Sequence, residues 1–427
     1  MREMKDSGIE WIGEIPKDWK CCKVKYSTSF VGSGTTPTSS NQDFYDGDIN
    51  WIQSGDLYKT VVVDTVEKKL TEKALKSFSA LHIYQAPFII MAMYGASVGN
   101  TAFSKIDACC NQACCCIKNN ESFNLKFMFY WLDFAQIDFL GRAIGGTQPN
   151  ISQDKIKNQY IVKPSLEEQQ QIADYLDTQC SEIDATAEDI QKEISLLEEY
   201  KKSVITEAVT KGLNPDAEMK DSGIAWIGEI PKDWKVDKIK YHLKRNEPKN
   251  PGNAIVLSVY RDYGVVPKDS RDDNHNVTSE DTSKYKYVKK GQLVINKMKA
   301  WQGSLAVSDY DGIVSPAYFI YDFIDEEYNH KYFHYLVRSC YKEEFKRISG
   351  GIREGQWDLS PEGFSNTLVL LPSIEEQNEI LDYILQKEME IDAIIADKKR
   401  QRGILTEYKK SLIYEYVTGK KEVPVHE

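Results

Sequence analysis

The chain has 427 residues, a net charge of −11 and 41% hydrophobic residues, enough length for two or more packed domains. No apolar run approaches the roughly 18–20 residues of a membrane span, so no membrane partner is expected. Nine cysteines, an odd number, and a polar, charged N-terminus without a visible secretory signal point to a reducing compartment, and a cytoplasmic location is expected.

The chain opens on a leader, EMKDSGIEWIGEIPKDWK at Glu3–Lys20, that returns 215 residues later as EMKDSGIAWIGEIPKDWK at Glu218–Lys235. Only Glu10 differs, replaced by Ala225, so the protein is two copies of one unit joined head to tail. The period is far too long for a solenoid, whose repeats run about 20–50 residues. The match continues through KVKY (Lys23–Tyr26) and KIKY (Lys238–Tyr241) and then fades. It returns weakly in Asn124–Tyr130 against Asn329–Tyr335, and in Gly145-Gly146 against Gly350-Gly351. Asn150–Ser152 then matches Asp358–Ser360 with three residues inserted, and PSLEEQ (Pro164–Gln169) matches PSIEEQ (Pro372–Gln377). Each unit is a fixed leader, a variable body and a fixed tail. Fixed frames do a shared mechanical job, and divergent inserts choose different targets.

The tails predict long helices. Leu176, Ile183, Ile190, Leu197 and Val204 fall on a strict seven-residue spacing, with Ala187, Ile194, Tyr200 and Ala208 beside them. Ile384, Ile391, Leu405 and Leu412 repeat the register around a polar break at Lys398; Ile380, Ile394, Ile395, Tyr408 and Ile413 join the stripe. Sustained heptads argue for a coiled coil, locally weakened at Gly403. Each run covers roughly 45 residues, or about 65–70 Å. Ser165 as N-cap, Glu167 and Glu168 in the first turn, and Lys211-Gly212 at the end mark the first helix. Two such helices most simply pack antiparallel. The expected fold is α+β: two globular domains joined by two long antiparallel coiled-coil helices, with an internal pseudo-twofold repeat. The expected boundaries are 1–163, 164–213, 214–371 and 372–427.

Charge is unevenly spread. Residues 164–213 carry 4 basic and 12 acidic residues, whereas residues 1–163 carry 18 and 17. An acidic helix repels phosphate and suits a protein partner or plain solvation. Thr282–Ser308 holds six lysines and no acid, interleaved with Tyr285, Tyr287 and Trp301; Lys238, Lys240, Lys244, Arg245 and Lys249 form a second cluster. Such patches suit phosphate positioning with base contact, against the plainer reading of a solvated surface.

Other constellations read as structural. Cys109-Cys110 and Cys114–Cys116 lack CxxC spacing and fit a buried strand of small residues. His330 and His334 stand four apart, but without the Glu of HExxH or a third ligand, so no metal is expected. The glycines of GASVG (Gly95–Gly99) lack the Gly-Lys-Ser/Thr ending of a P-loop. No Pro-Pro pair exists, which removes the (N/D/S)PP(Y/F/W) tetrad of an amino-methyltransferase. The chain is therefore not expected to be an enzyme.

The bodies carry DGDINWIQSGDL (Asp46–Leu57), YGASVGN (Tyr94–Asn100) and GGTQPNIS (Gly145–Ser152), then VLSVYRDYGV (Val256–Val265), VINKMKAWQG (Val294–Gly303) and YDGIVSPAY (Tyr310–Tyr318). With the leaders and the PSxEEQ helix starts, their order resembles the specificity subunit of type I restriction–modification systems over nearly the whole chain. The resemblance implies that 1–163 and 214–371 are target-recognition domains, each reading half of a bipartite, asymmetric site in double-stranded DNA. It implies that the helices hold the spacing and dock two methyltransferase subunits, and that a motor-nuclease subunit completes the complex. No cofactor is expected in this chain; S-adenosylmethionine, ATP and Mg²⁺ belong to the partner subunits. Candidate DNA contacts are Ser54, Lys59, Tyr94, Gln112, Thr147, Gln148 and Asn150 in the first body. In the second they are Arg261, Asn296, Lys297, Lys299, Trp301, Gln302, Arg353 and Gln356. The alternative is a stand-alone DNA-binding or protein-interaction scaffold not tied to restriction, which the acid-free lysine stretch weighs against in its protein-binding form.

Overall fold

The structure, a computed structural model, describes residues 2–58, 60–141, 150–252, 254–261, 263–270, 281–351 and 357–424. The chain divides into two compact units, Met1–Ile190 with Arg400–Glu427, and Gln191–Lys399. These divisions fall inside the long helices rather than at the ends of the four sequence segments. No helix among the described residues is long and apolar enough to cross a membrane.

Both leaders fold alike. Met4–Asp6 pairs antiparallel with Glu14–Pro16, and Met219–Asp221 with Glu229–Pro231, in equivalent register. In both, an ion pair ties the strands' ends, Lys17 to Glu3 at 2.8 Å and Lys232 to Glu218 at 2.7 Å. The leader's last strand, Lys20–Lys23, pairs with Tyr160–Lys163 just before the tail; Lys235–Lys238 pairs with Leu368–Leu371. Leader and tail thus close a two-stranded stem, and the variable body emerges between them. That is why the repeat is strong at both ends of a unit and weak in its middle.

Each body is built on one sheet order. The first runs Thr28–Ser33, Cys114–Asn119, Phe88–Ala92, Thr101–Ser104 and Val62–Val63. The second runs Leu243–Arg245, Tyr318–Phe323, Leu293–Asn296 and Leu305–Val307. The central shared strands are largely buried, with Cys114–Cys116 in one of them; Cys109-Cys110 is buried in a strand of the first body's added sheet. The additions differ. The first body adds a three-stranded sheet around Tyr45–Ile52, and the second adds the hairpin Leu257–Tyr260 with Gly264–Pro267 and the pair Lys286–Val288 with Gly312–Val314. A helix covers one face of each sheet: α1 (Leu125–Phe134), capped by Asn124, in the first body.

The first tail is α2 (Leu166–Lys211), which ends at Gly212 with φ of 73°. The second body's covering helix is α3 (His330–Cys340), capped by Asn329, and the second tail is α4 (Ile374–Val417). Within each unit the two tails run antiparallel. In the first, Tyr175 packs on Tyr416 and Lys409 binds Asp184 at 2.7 Å. In the second, Lys398 binds Glu193 at 2.5 Å and Lys201 binds Asp392 at 2.8 Å. The heptad residues Leu176, Ile183, Ile190, Val204, Ile384, Ile391 and Leu412 are buried, and Leu197 and Leu405 are half-buried. α4 continues through Gly403 without interruption. Tyr200, Ile394 and Tyr408 are exposed, although their spacing had put them in the stripe. Lys398 is no bare polar break, because Glu193 neutralises it.

Candidate nucleic-acid interface

The repeated PSxEEQ motif shows how the frame holds a body. Ser165 caps α2 by accepting from Glu168 N at 3.2 Å, and Ser373 caps α4 through Glu376 N at 3.2 Å. The buried Gln169 accepts from Asn124 N at 2.8 Å and donates to Pro164 O at 3.1 Å. Gln377 does the same with Asn329 N at 2.8 Å and Pro372 O at 3.1 Å. The start of each long helix is thereby locked to the cap of the helix that supports the sheet.

At the far end of the same sheet strands sits a loop. In the first body, strand Phe88–Ala92 runs into Met93–Asn100 and returns as Thr101–Ser104. Ile151 N donates to Met93 O at 2.9 Å, and Tyr94 bridges Asn150. In the second body, strand Leu293–Asn296 runs into Lys297–Ser304, and Leu359 N donates to Lys297 O at 2.9 Å. The next residues start a short helix in both cases, capped by Ser152 and Ser360. The two loops share a backbone tether and carry unrelated side chains, MYGASVGN against KMKAWQGS.

Four first-body candidates meet around this loop. Asn111 N donates to Ile52 O at 3.0 Å, which sets the Gln112 turn beside the turn that begins at Ser54; Met93 N donates to Ala113 O at 2.7 Å. Asn100 Nδ2 donates to Leu57 O at 3.2 Å and ties the Ser54–Leu57 turn to the loop. Tyr94, Gln112 and Asn150 are exposed and Ser54 is half-buried, so one rim presents a phenol, an amide pair and a hydroxyl. Thr36 Oγ1 donates to Gln112 Oε1 at 2.6 Å and orients that amide; nothing in the sequence linked residues 76 positions apart. Lys59, Thr147 and Gln148 lie outside the described residues.

In the second body Asn296, Lys297, Lys299, Trp301 and Gln302 share one turn, closed by Gly303 with φ of 87°. Asn296 Oδ1 accepts from Met298 N at 3.2 Å and shapes it. Lys297 is not a free cation, since Asp358 binds it at 2.8 Å. Lys299 is exposed and has no acidic partner among the described residues. Trp301 donates to Met298 O at 3.1 Å and packs on Trp357, ring centroids 5.4 Å apart. Met298 and Trp357 complete the surface; Trp357 follows the Gly350-Gly351 insertion, the one sequence signal that pointed there. Beneath the turn, burial pushes the Tyr318 phenol above its ordinary value, against lowering hydrogen bonds with Val259 and Asn296.

Arg261 stands elsewhere, in the turn of the hairpin Leu257–Tyr260 and Gly264–Pro267, its carbonyl held by Arg338 of α3. His334 of α3 accepts from Val307 N at 3.1 Å, and burial, with Arg338 and Lys331 nearby, pushes it down to about 3. His330 stacks on Phe323 at 3.9 Å. Arg353 and Gln356 lie outside the described residues. The lysine stretch is less basic than its composition: Lys286 binds Glu247 at 2.9 Å and Lys297 binds Asp358, while Lys284, Lys289 and Lys290 are exposed.

Residues 16–196 match the family of type I restriction modification DNA specificity domains. The chain is 29% identical over 265 residues to the type I restriction enzyme MjaIX specificity subunit of Methanocaldococcus jannaschii, covering 60% of this chain and 58% of that relative, less than two thirds of its length. The MjaVIII specificity subunit of the same organism is 23% identical over 96% of this chain and 94% of its own. Among solved structures, one from a study of type I R-M complex assembly and conformational transition has a TM-score of 0.65 at 14% identity, covering 95% of this chain and 99% of its own. The HsdS subunit of Thermoanaerobacter tengcongensis has a TM-score of 0.51 at 15% identity, covering 95% and 98%. These two share the fold.

Proposed function

We propose that this chain, which belongs to the family of type I restriction–modification specificity subunits, binds double-stranded DNA and sets the sequence on which its partners act. Each body reads one part of a bipartite, asymmetric target. The observation that carries this reading is the pair of rim loops, which share one backbone tether and present different side chains. A common backbone places each loop the same way, and dissimilar side chains select different base edges. In the first body Ser54, Tyr94, Gln112 and Asn150 are the contacts; in the second they are Asn296, Lys299, Trp301 and Gln302, with Lys297 available when Asp358 releases it.

The chain supplies no catalysis. S-adenosylmethionine, ATP and Mg²⁺ belong to the methyltransferase and motor-nuclease subunits, and the complex acts in the cytoplasm. Two methyltransferases dock on the long helices. In support, the helices carry exposed apolar side chains there, Leu196 at 64% and Met389 at 72%. Mapping methylated bases in cells that carry this chain with its methyltransferase tests the proposal. One bipartite motif with two unlike halves is expected. An unmethylated genome with the complex assembled, or a palindromic motif, would overturn it.

A further inference from the structure

The two leaders bury their last tryptophan in the same way, and the residue just before each leader differs, Arg2 in the first and Ala217 in the second, where a cavity lies. In the first unit the Arg2 guanidinium lies 5.3 Å from the Trp19 ring centroid. It binds Asp18 at 2.6 Å and both carboxylate oxygens of Glu168. Glu168 also accepts the Trp19 indole N–H at 2.9 Å. One planar cation thus covers an indole face and neutralises two carboxylates.

In the second unit every partner of that guanidinium is present. Trp234 donates to Glu376 at 2.9 Å, and Asp233 precedes it as Asp18 precedes Trp19. The position equivalent to Arg2, at the 215-residue offset, is Ala217. A cavity of about 420 Å³ lies there, lined by Ala217, Asp233 and Glu376 with Lys211, Lys232 and Glu218. Its lysines are already engaged: Lys211 donates to Glu229 O, and Lys232 binds Glu218 at 2.7 Å. Glu376 and Asp233 face each other with no cation of their own among the described residues. Burial raises the Glu376 carboxyl above its ordinary value, and Asp233 and Glu379 add to the rise against the Trp234 hydrogen bond.

We propose that this cavity is a guanidinium site that takes an arginine side chain supplied by another protein, with Glu376 and Asp233 in the parts of Glu168 and Asp18 and the buried Trp234 N–H held on Glu376 beneath. The first unit fills the same site from its own chain. Arginine fits better than lysine, because its planar fork binds a carboxylate through two N–H groups at once. The inference stands on the internal repeat and does not rest on DNA reading.

The test follows the Trp234 indole N–H of the full chain by NMR during titration with N-acetyl-arginine amide, with N-acetyl-citrulline amide as the uncharged isostere. A saturable shift with the arginine probe and none with citrulline is expected. Ala217→Arg should abolish that response and raise the melting temperature by a few degrees. Arg2→Ala should open the first site, so that the Trp19 indole then responds to the same probe. Equal response to citrulline would overturn the proposal, as would silence at Trp234, whether or not Trp19 of the Arg2→Ala variant responds.

Discussion

Gln169 accepts the backbone N–H of Asn124 at 2.8 Å across 45 residues of sequence, and the second unit repeats the bond with Gln377 and Asn329 at 2.8 Å. The side chain is fully buried and also donates to Pro164 O at 3.1 Å. Replacing it by leucine leaves a buried donor and a buried acceptor unmatched, each costing about 1–3 kcal/mol. Gln169→Leu should therefore lower the melting temperature of the first unit by roughly 5–10 °C, read by calorimetry. A change under about 1 °C would remove the motif from the frame.

That motif also shows what the sequence could reveal. The doubled PSxEEQ and the seven-residue spacing marked two long helices because their signals are local and periodic. The role of Gln169 was invisible, since its partner lies in another element. Tyr200, Ile394 and Tyr408 sat near the heptad register yet face outward, because two antiparallel helices bury a narrower stripe than the spacing allowed. Lys297 looked like a free cation because Asp358 is 61 residues away. Arg261 was one candidate among the second body's contacts, and nothing in the sequence signalled that the hairpin sets its carbonyl against Arg338 of α3.

The ion pair separates two lysines that composition made equal. Lys299→Ala should weaken DNA binding and reduce the salt slope by about one unit if that side chain meets phosphate. Lys297→Ala should do less, because Asp358 already neutralises it. Asp358→Asn should free Lys297 and steepen the slope. Fluorescence anisotropy across a salt series measures all three, and equal slopes for the two lysine variants would contradict the pairing.

His334 makes the second unit sensitive to acid. Its folded value near 3 lies below the ordinary 6.5, so the unfolded chain takes up its proton first as pH falls. The stability this neutral imidazole contributes is whole above pH about 6.5 and is lost toward pH 3, at up to about 1.4 kcal/mol per pH unit. His334→Gln, which can still accept from Val307 N, should flatten the acid side of the stability curve. Melting temperatures at pH 7 and pH 5 compare the two proteins. Parallel curves would show that His334 titrates alike in both states.

Independent bodies imply separable specificity. Exchanging residues 27–123 for the body of another such protein should change one half of the recognised sequence and leave the other, whose reader lies within 242–357. Folding can be checked by circular dichroism and the motif by methylation mapping. Loss of both halves from a folded chimera would contradict two independent readers.

The unspecified gap in the target should follow helix length if the helices set the spacing between the readers. Both helices belong partly to each unit, dividing at Ile190–Gln191 and Lys399–Arg400, so both must be lengthened together. An insertion of one heptad in each keeps the buried register intact, whereas four residues before Thr210–Pro215 would rotate the stripe against its partner. Seven residues add about 10.5 Å of helix, and B-DNA rises about 3.4 Å per base pair. The gap should then grow by about three base pairs, with both half-sites unchanged because no reading residue moves within its body. A looped-out insertion would leave the gap alone, and a helical content that fails to rise would identify it. Methylation mapping of a variant with the added helix gives the answer. An unchanged gap in that variant would mean that the helices only dock partners.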